Sequence, residues 1–386
     1  MVDFSLTPEQ TAWREKARAF ARAHVLPRVD LDQHGVFPWE LYRGAFDEGF
    51  ITACLPTSVG GGGRPLLDVL LATEELAYGD LGVATSIGVL TLASSPLVRF
   101  GTADQQQRWL APLCRELGFA SFAWTEPEGS TNLFGRPATT TAREVPGGFV
   151  LNGVKSTITN GSVARLLTVF ARLDSSAHGL SCFVLSSKTP GVEARNPYRK
   201  MGQRASDTGE ITFRDVFVPS VDFLGKPGQG QQIAVHSMTR SRVGICAMAL
   251  GVARRAKDLV VEYGHTRTTA AGQKLIEQQD YRLRIAELDA EIETIRALCW
   301  RAAWEVEHGL EGSKLASVAK LMGGNMAVRV TNEATELLGA TGYLESGKAE
   351  KLLRDAKVLQ IYEGPQFVQK TVIADTAIRL SRVGKA

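Results

Sequence analysis

Apolar positions along the chain change rhythm twice, from helical to strand-like near residue 119 and back to helical near residue 227. In the first stretch Trp13, Ala17, Phe20 and His24 recur at spacings of three and four and are flanked by Arg14, Lys16, Arg18 and Arg22, which predicts an amphipathic helix with the first four on its buried face. Thr7 supplies an N-cap, Pro8 fits the first helical position, where no amide donor is needed, and Gln10 closes a capping box. Helical patterning continues to about residue 118, broken by the glycine-rich loop 59–65. Short β-branched and aromatic runs follow at 148–152, 166–171, 181–185 and 210–213, separated by Gly, Pro, Asn and Ser turns, and predict strands. After the connector Gly225-Lys226-Pro227-Gly228-Gln229-Gly230, helical spacing returns, with Leu315, Val318, Met322 and Met326 as one stripe. Gly323-Gly324 interrupts that stripe at a cost of about 1 kcal/mol per glycine, and close helix packing is the expected compensation. The expected fold is α+β, with helical residues 1–118, a β region at 119–226 and helical residues 227–386.

Composition adds limits. The chain has 386 residues, 44% of them hydrophobic and 22% charged, enough for a large core. Its formal net charge of +3 is spread among interleaved acids and bases, which argues against a nucleic-acid surface and leaves a small-molecule site as the default. The five cysteines are widely spaced and lack a C-x-x-C pair, so they read as reduced. No basic, then apolar, leader opens the sequence, and no run reaches the ~18 apolar residues of a membrane span. The expectation is a cytoplasmic protein that engages no membrane.

The glycines at 60 to 63 lack the G-K-[ST] ending of a phosphate loop and read as a turn. No H-E-x-x-H, paired C-x-x-C or G-x-S-x-G occurs, and the six histidines fall in no ligand spacing, so neither a metal site nor a serine hydrolase is expected.

Four segments then occur in order. They are Thr125-Glu126-Pro127 with Gly129-Ser130-Thr131; Lys155-Ser156-Thr157-Ile158-Thr159-Asn160-Gly161; Lys200-Met201-Gly202-Gln203-Arg204-Ala205-Ser206-Asp207-Thr208 with Asp215-Val216-Phe217-Val218-Pro219; and Arg354-Asp355-Ala356-Lys357 with Ile361-Tyr362-Glu363-Gly364. Together the sequence resembles the acyl-CoA dehydrogenase family from end to end. The resemblance implies an N-terminal helical domain, a central β-barrel or sheet domain and a C-terminal four-helix bundle, assembled as a homotetramer. It also implies FAD as cofactor and α,β-dehydrogenation of an acyl-CoA or carrier-protein thioester, with electron-transfer flavoprotein taking the electrons.

Such chemistry needs a base for the weakly acidic α-proton, a hydride acceptor at the β-carbon and donors for the developing enolate. In the family those donors are the amide of the catalytic glutamate and an FAD ribityl hydroxyl. The resemblance places the base at Glu363. The family's other base position falls on Ser241, beside Arg242, and serine cannot remove this proton. Glutamate at 363 also separates the chain from nitroalkane oxidases, which are similar to the family but use aspartate there.

By the same resemblance, Thr125 and Thr159 touch the isoalloxazine, with Ser130, Thr131 and Thr157 beside it. Arg267 and Gln279 reach the diphosphate and adenine from a neighbouring subunit, while Arg242, Ser130 and Gly364 face substrate. Glu336, Gly339 and Ala340 correspond to the Q-x-x-G-G part of the family's subunit-spanning site, with Thr341 and Gly342 after them, and Tyr362 and Pro365 flank the base segment. The chain departs from the pattern at Thr157, where a flavin-stacking tryptophan is usual, and at Glu336, Ala340 and Pro365, for Gln, Gly and Thr. Trp124 is expected to replace part of the missing aromatic surface. Alternatives are an oxidase or a specialised biosynthetic flavoenzyme of this fold and, remotely, a non-catalytic relative that binds nucleic acid or protein.

Overall fold

The structure is a computed structural model that describes residues 4–128, 138–174, 179–310 and 312–383. Helices α1 (Pro8–Phe20), α2 (Trp39–Asp47), α3 (Leu66–Gly79), α4 (Leu81–Phe100), α5 (Ala103–Trp109) and α6 (Ala111–Arg115) precede a sheet, and α7 (Gly230–Thr266), α8 (Gln279–Glu307), α9 (Gly312–Leu337), α10 (Ala340–Tyr343), α11 (Ala349–Ala356) and α12 (Gln366–Val383) follow it. The strands are β1 (Phe119–Ala123), β2 (Thr141–Val145), β3 (Gly148–Thr159), β4 (Ala164–Leu173), β5 (Leu180–Ser186), β6 (Val192–Arg195), β7 (Thr208–Pro219) and β8 (Phe223–Leu224). They form one sheet in the order β6-β7-β3-β2-β4-β5-β8, with β1 parallel to β4. This is the expected α+β architecture.

The capping box at Thr7 and Gln10 forms, with Pro8 in the first turn. Trp13, Ala17 and Phe20 are buried as the spacing requires, but His24 is exposed and Val25 is fully buried in its place. The cause is a π-helical turn, Ala21–Val25, directly after α1. Its wider i→i+5 bonding rotates the buried face by one residue.

The expected stripe on α9 is also displaced. Met322 is 45% exposed, whereas Ala316, Ala319, Met326, Ala327 and Val330 are buried. The seam is built of small side chains, and apolar bulk alone does not mark it. A β-carbon on Gly323 would meet Cys246 Sγ of α7 at 3.0 Å, and one on Gly324 would meet the Leu359 carbonyl at 2.8 Å, so close packing does explain these glycines.

One core joins helices from both ends of the chain to β1, and a second fills the sheet interior. Helix α4 is long and apolar enough, by length and composition, to cross a membrane, but most of it is buried inside the protein as a core helix.

Candidate active site

The sequence segments that stand out as motifs pair off in space. Glu126 and Lys155 form an ion pair of 2.9 Å with both side chains fully buried. Lys155 Nζ also donates to the Trp124 carbonyl at 3.1 Å, while Glu126 accepts from the Thr139 and Thr140 amides at 2.7 and 2.9 Å. Burial pushes the Lys155 ammonium down to about 8, and although burial also opposes the Glu126 charge, Lys155 and the amides hold that carboxyl down at about 2. Both groups are therefore ionised near neutral pH. The pair ties the end of β1 to β3, and Ser156 N donates to Thr125 O at 2.9 Å beside it.

A second lock joins β3 to the 200–208 segment. Asp207 accepts from Ser162 N and Oγ at 2.9 and 2.7 Å, and Asn160 Nδ2 reaches Ser86 O on α4 at 2.9 Å. A third joins that segment to α11. Gln203 N donates to Asp355 Oδ1, Arg354 Nη1 donates to Met201 O at 2.9 Å, and a β-carbon at Gly202 would lie 2.4 Å from Arg354 O.

Between these locks lies a cavity of about 540 Å³. Thr125, Thr157, Thr159, Arg242, Tyr362, Glu363 and Gly364 all line it. Thr157 sits at a break in the β3–β7 register with φ 54°, and this bulge turns it out of the ladder. Ser130 and Thr131 lie outside the described residues.

Arg267, Gln279, Glu336, Gly339 and Ala340 are exposed and do not line the cavity. Arg267 caps the C-terminal end of α7, Gln279 starts α8, and Gly339 precedes α10. Glu336 accepts from Asn332 Nδ2 at 2.8 Å and faces Arg284 at 3.7 Å, which offsets its charge. Pro365 is half-buried at the start of α12, where its carbonyl accepts from Val368 and Gln369. It does not line the cavity either.

Glu363 has φ 55° and Gly364 φ 89°, two consecutive left-handed residues. Glycine is required at the second position, because a β-carbon there would also meet Gln369 Nε2 at 2.6 Å. The first is a strained conformation for glutamate, held by Gln369 Nε2, which donates to Glu363 O at 3.0 Å and Gly364 O at 2.8 Å. Glu363 Oε2 is buried without a hydrogen-bond partner. Burial raises the Glu363 carboxyl above the ordinary carboxylate range, opposed by the Ser241 hydroxyl and by Arg242 and Lys320.

Arg242, 5% exposed, donates through Nη1 to Ser317 Oγ at 3.1 Å and leaves Nε unpaired. Tyr362 OH lies 3.4 Å from both Thr85 Oγ1 and Gln203 Nε2, and burial pushes it up to about 12, so it stays protonated.

Sequence reading alone misses Lys320, Thr85, Gln369 and the apolar wall of Val89, Leu92, Phe122 and Met238. Only Lys320 carries a signal, as a cation in line with the buried Ala316 and Gly323 of α9.

The polar threonines at the sheet end and the apolar wall from α4, β1 and α7 suit the polar edge and planar faces of an isoalloxazine, and Glu363, whose Oε2 is buried and unpaired, belongs to the same lining. Trp124 is 5% exposed, packs edge-on against Phe170 at 5.1 Å and also lines the cavity. Trp124→Leu is expected to shift the absorbance of bound flavin or weaken FAD retention. An unchanged spectrum and affinity would leave Trp124 a core residue only.

Models of the acyl-CoA dehydrogenase N-terminal, middle and C-terminal domains match residues 7–116, 121–216 and 228–378. The short-chain specific acyl-CoA dehydrogenase of Megasphaera elsdenii is 35% identical over 385 residues, which span 98% of this chain and 100% of that one. A solved chain from work on the electron transferring flavoprotein of Acidaminococcus fermentans and flavin-based electron bifurcation superposes with TM-score 0.94 at 34% identity, covering 98% of this chain and 100% of that one. The prolyl acyl carrier protein oxidase AnaB superposes with TM-score 0.91 at 30% identity, covering 97% and 100%. The chain belongs to the acyl-CoA dehydrogenase family. It is accordingly an FAD-dependent oxidoreductase that acts on CH–CH groups, with acyl thioesters as its general substrate class.

Proposed function

We propose that the protein converts a saturated acyl thioester to the 2-enoyl thioester with Glu363 as the base that removes the α-proton. The observation that carries this reading is that Glu363 lines the cavity and holds a buried Oε2 without a hydrogen-bond partner. A buried acceptor without a partner costs free energy unless a ligand uses it. Burial also makes the carboxyl a stronger base than an exposed glutamate.

Thr125, Thr157, Thr159 and Tyr362 would hold the flavin ring, with Trp124 beside them. FAD, when bound, supplies the acceptor for the hydride that leaves the β-carbon. Val89, Leu92, Phe122 and Met238 give the acyl chain an apolar wall that excludes water from the carboxylate. Arg242 keeps a buried positive charge beside Glu363, and that charge stabilises the negative charge developing on the thioester as Glu363 takes up the proton.

Electrons are proposed to pass to an electron-transfer flavoprotein. Exposed Leu283, Tyr343, Leu344, Phe367 and Ile378 supply apolar surface for the proposed homotetramer, in which Arg267, Gln279 and the Glu336–Ala340 turn complete a neighbour's FAD site. The five free thiols are compatible with the cytoplasmic location expected from the sequence. A second reading, oxidation of a carrier-protein thioester with oxygen as acceptor, draws on the likeness to the carrier-protein oxidase.

Anaerobic mixing of the FAD-loaded protein with butyryl-CoA and with the same acyl group on a carrier protein tests the proposal. Bleaching of the flavin by either thioester is expected, and admission of air then separates oxidase from dehydrogenase. Absence of bleaching with a series of acyl thioesters on both carriers would overturn it.

A further inference from the structure

Lys320 is a cation where the helix seam is otherwise small and apolar. It is 1% exposed on α9, in line with Ala316 and Gly323. Its Nζ donates to the Gly364 carbonyl at 2.6 Å, the same oxygen that Gln369 Nε2 reaches at 2.8 Å. The charged groups acting on it are Glu363, which favours the ammonium, and Arg242, which opposes it. Burial brings Lys320 down to about 8, so near neutral pH it remains mostly charged.

Such a placement is costly for packing alone, since an apolar residue would fill the seam without the loss of hydration. Two features of the base account for it. The turn that carries Glu363 is left-handed at two consecutive residues, and its carbonyls need fixed donors to hold that conformation. The carboxylate is buried, and without nearby positive charge it would take up a proton and cease to be a base.

We propose that Lys320 is the positioning residue of the proton-abstraction step: its ammonium pins the turn that presents Glu363 and sets a positive charge beside that turn. This rests on Glu363 being the base. The groups that act on Glu363 or its turn are Ser241 and Arg242 from α7, Lys320 from α9, Gln369 from α12 and Tyr362 on its own segment. Of these, Arg242 and Lys320 carry positive charge. One carboxylate thus meets two cations, and when it takes the α-proton both cations are left uncompensated. That imbalance favours negative charge on the bound thioester at the moment it forms.

The test compares Lys320→Met, Lys320→Arg and Glu363→Gln in the FAD-loaded protein. Two quantities are followed against pH: the single-turnover rate of flavin reduction by butyryl-CoA, and the infrared carboxyl band that disappears in Glu363→Gln. Lys320→Met is expected to raise the apparent pKa of Glu363 by about one unit or more in both measurements, the usual effect of losing a nearby opposite charge. Lys320→Arg, which keeps the charge, should bring it back toward wild type. Should the methionine variant not fold, Lys320→Gln offers an uncharged amide donor for the same comparison. If the neutral variant keeps the wild-type infrared pKa while Glu363→Gln is inactive, the role of Lys320 is overturned and Glu363 remains the base. If Glu363→Gln reduces its flavin at the wild-type rate, the base assignment falls and this proposal falls with it.

Discussion

Glu363→Gln is expected to slow flavin reduction by acyl thioester about 100 to 10,000-fold, the usual contribution of a positioned general base, while FAD content and thioester binding persist. Glutamine keeps the size of the side chain and removes the site that accepts the α-proton. In the wild type the same step should fall away on the acid side. Burial raises the Glu363 carboxyl, so the apparent pKa of that limb should lie above the ordinary glutamate value of about 4.3. Lower pH protonates the base and lowers the rate. Ser241 faces the Glu363 carboxyl from α7, and Ser241→Glu in the Glu363→Gln background is expected to recover part of the activity. Stopped-flow absorbance under anaerobic conditions reads the wild type and both variants.

The second large effect concerns stability. Lys155→Met leaves Glu126 buried against two amides and a hydroxyl but without its counter-ion, and also strips a donor from the Trp124 carbonyl. Breaking a fully buried ion pair by removing one partner typically costs about 3–5 kcal/mol, so chemical denaturation should show a loss of that order. Because the pair ties β1 to β3 beside Thr125, FAD retention should fall as well. Glu126→Gln with Lys155→Met removes both charges and should recover part of the lost stability. A single Lys155→Met variant as stable as wild type would show that the pair contributes nothing net.

The locks around the cavity explain why the functional reading was available from sequence. Glu126 with Lys155, Asp207 with Asn160 and Ser162, and Gln203 with Asp355 are contacts between distant segments. Such segments must keep their residue types together, so they read as motifs even though several of their members never touch the cavity. Helix and strand positions were legible through periodicity and capping for the same kind of local reason.

Periodicity failed where geometry left the regular repeat. The π turn Ala21–Val25 exchanged His24 for Val25, and the small-residue seam of α9 turned Met322 outward. Lys320 and Gln369 escaped because each acts on a backbone carbonyl of the 363–364 turn, a target that leaves no side-chain partner to recognise in sequence. The apolar cavity wall escaped because Val89, Leu92 and Phe122 look like any other core residues until the fold brings them together.

The most direct test of the base is exchange of the α-hydrogens of butyryl-CoA into deuterated water, followed by nuclear magnetic resonance under anaerobic conditions after the flavin has been fully reduced. This isolates proton removal from hydride transfer. Wild type is expected to exchange these hydrogens, and Glu363→Gln to exchange them at least about 100-fold more slowly. Exchange by Glu363→Gln at the wild-type rate would contradict the account.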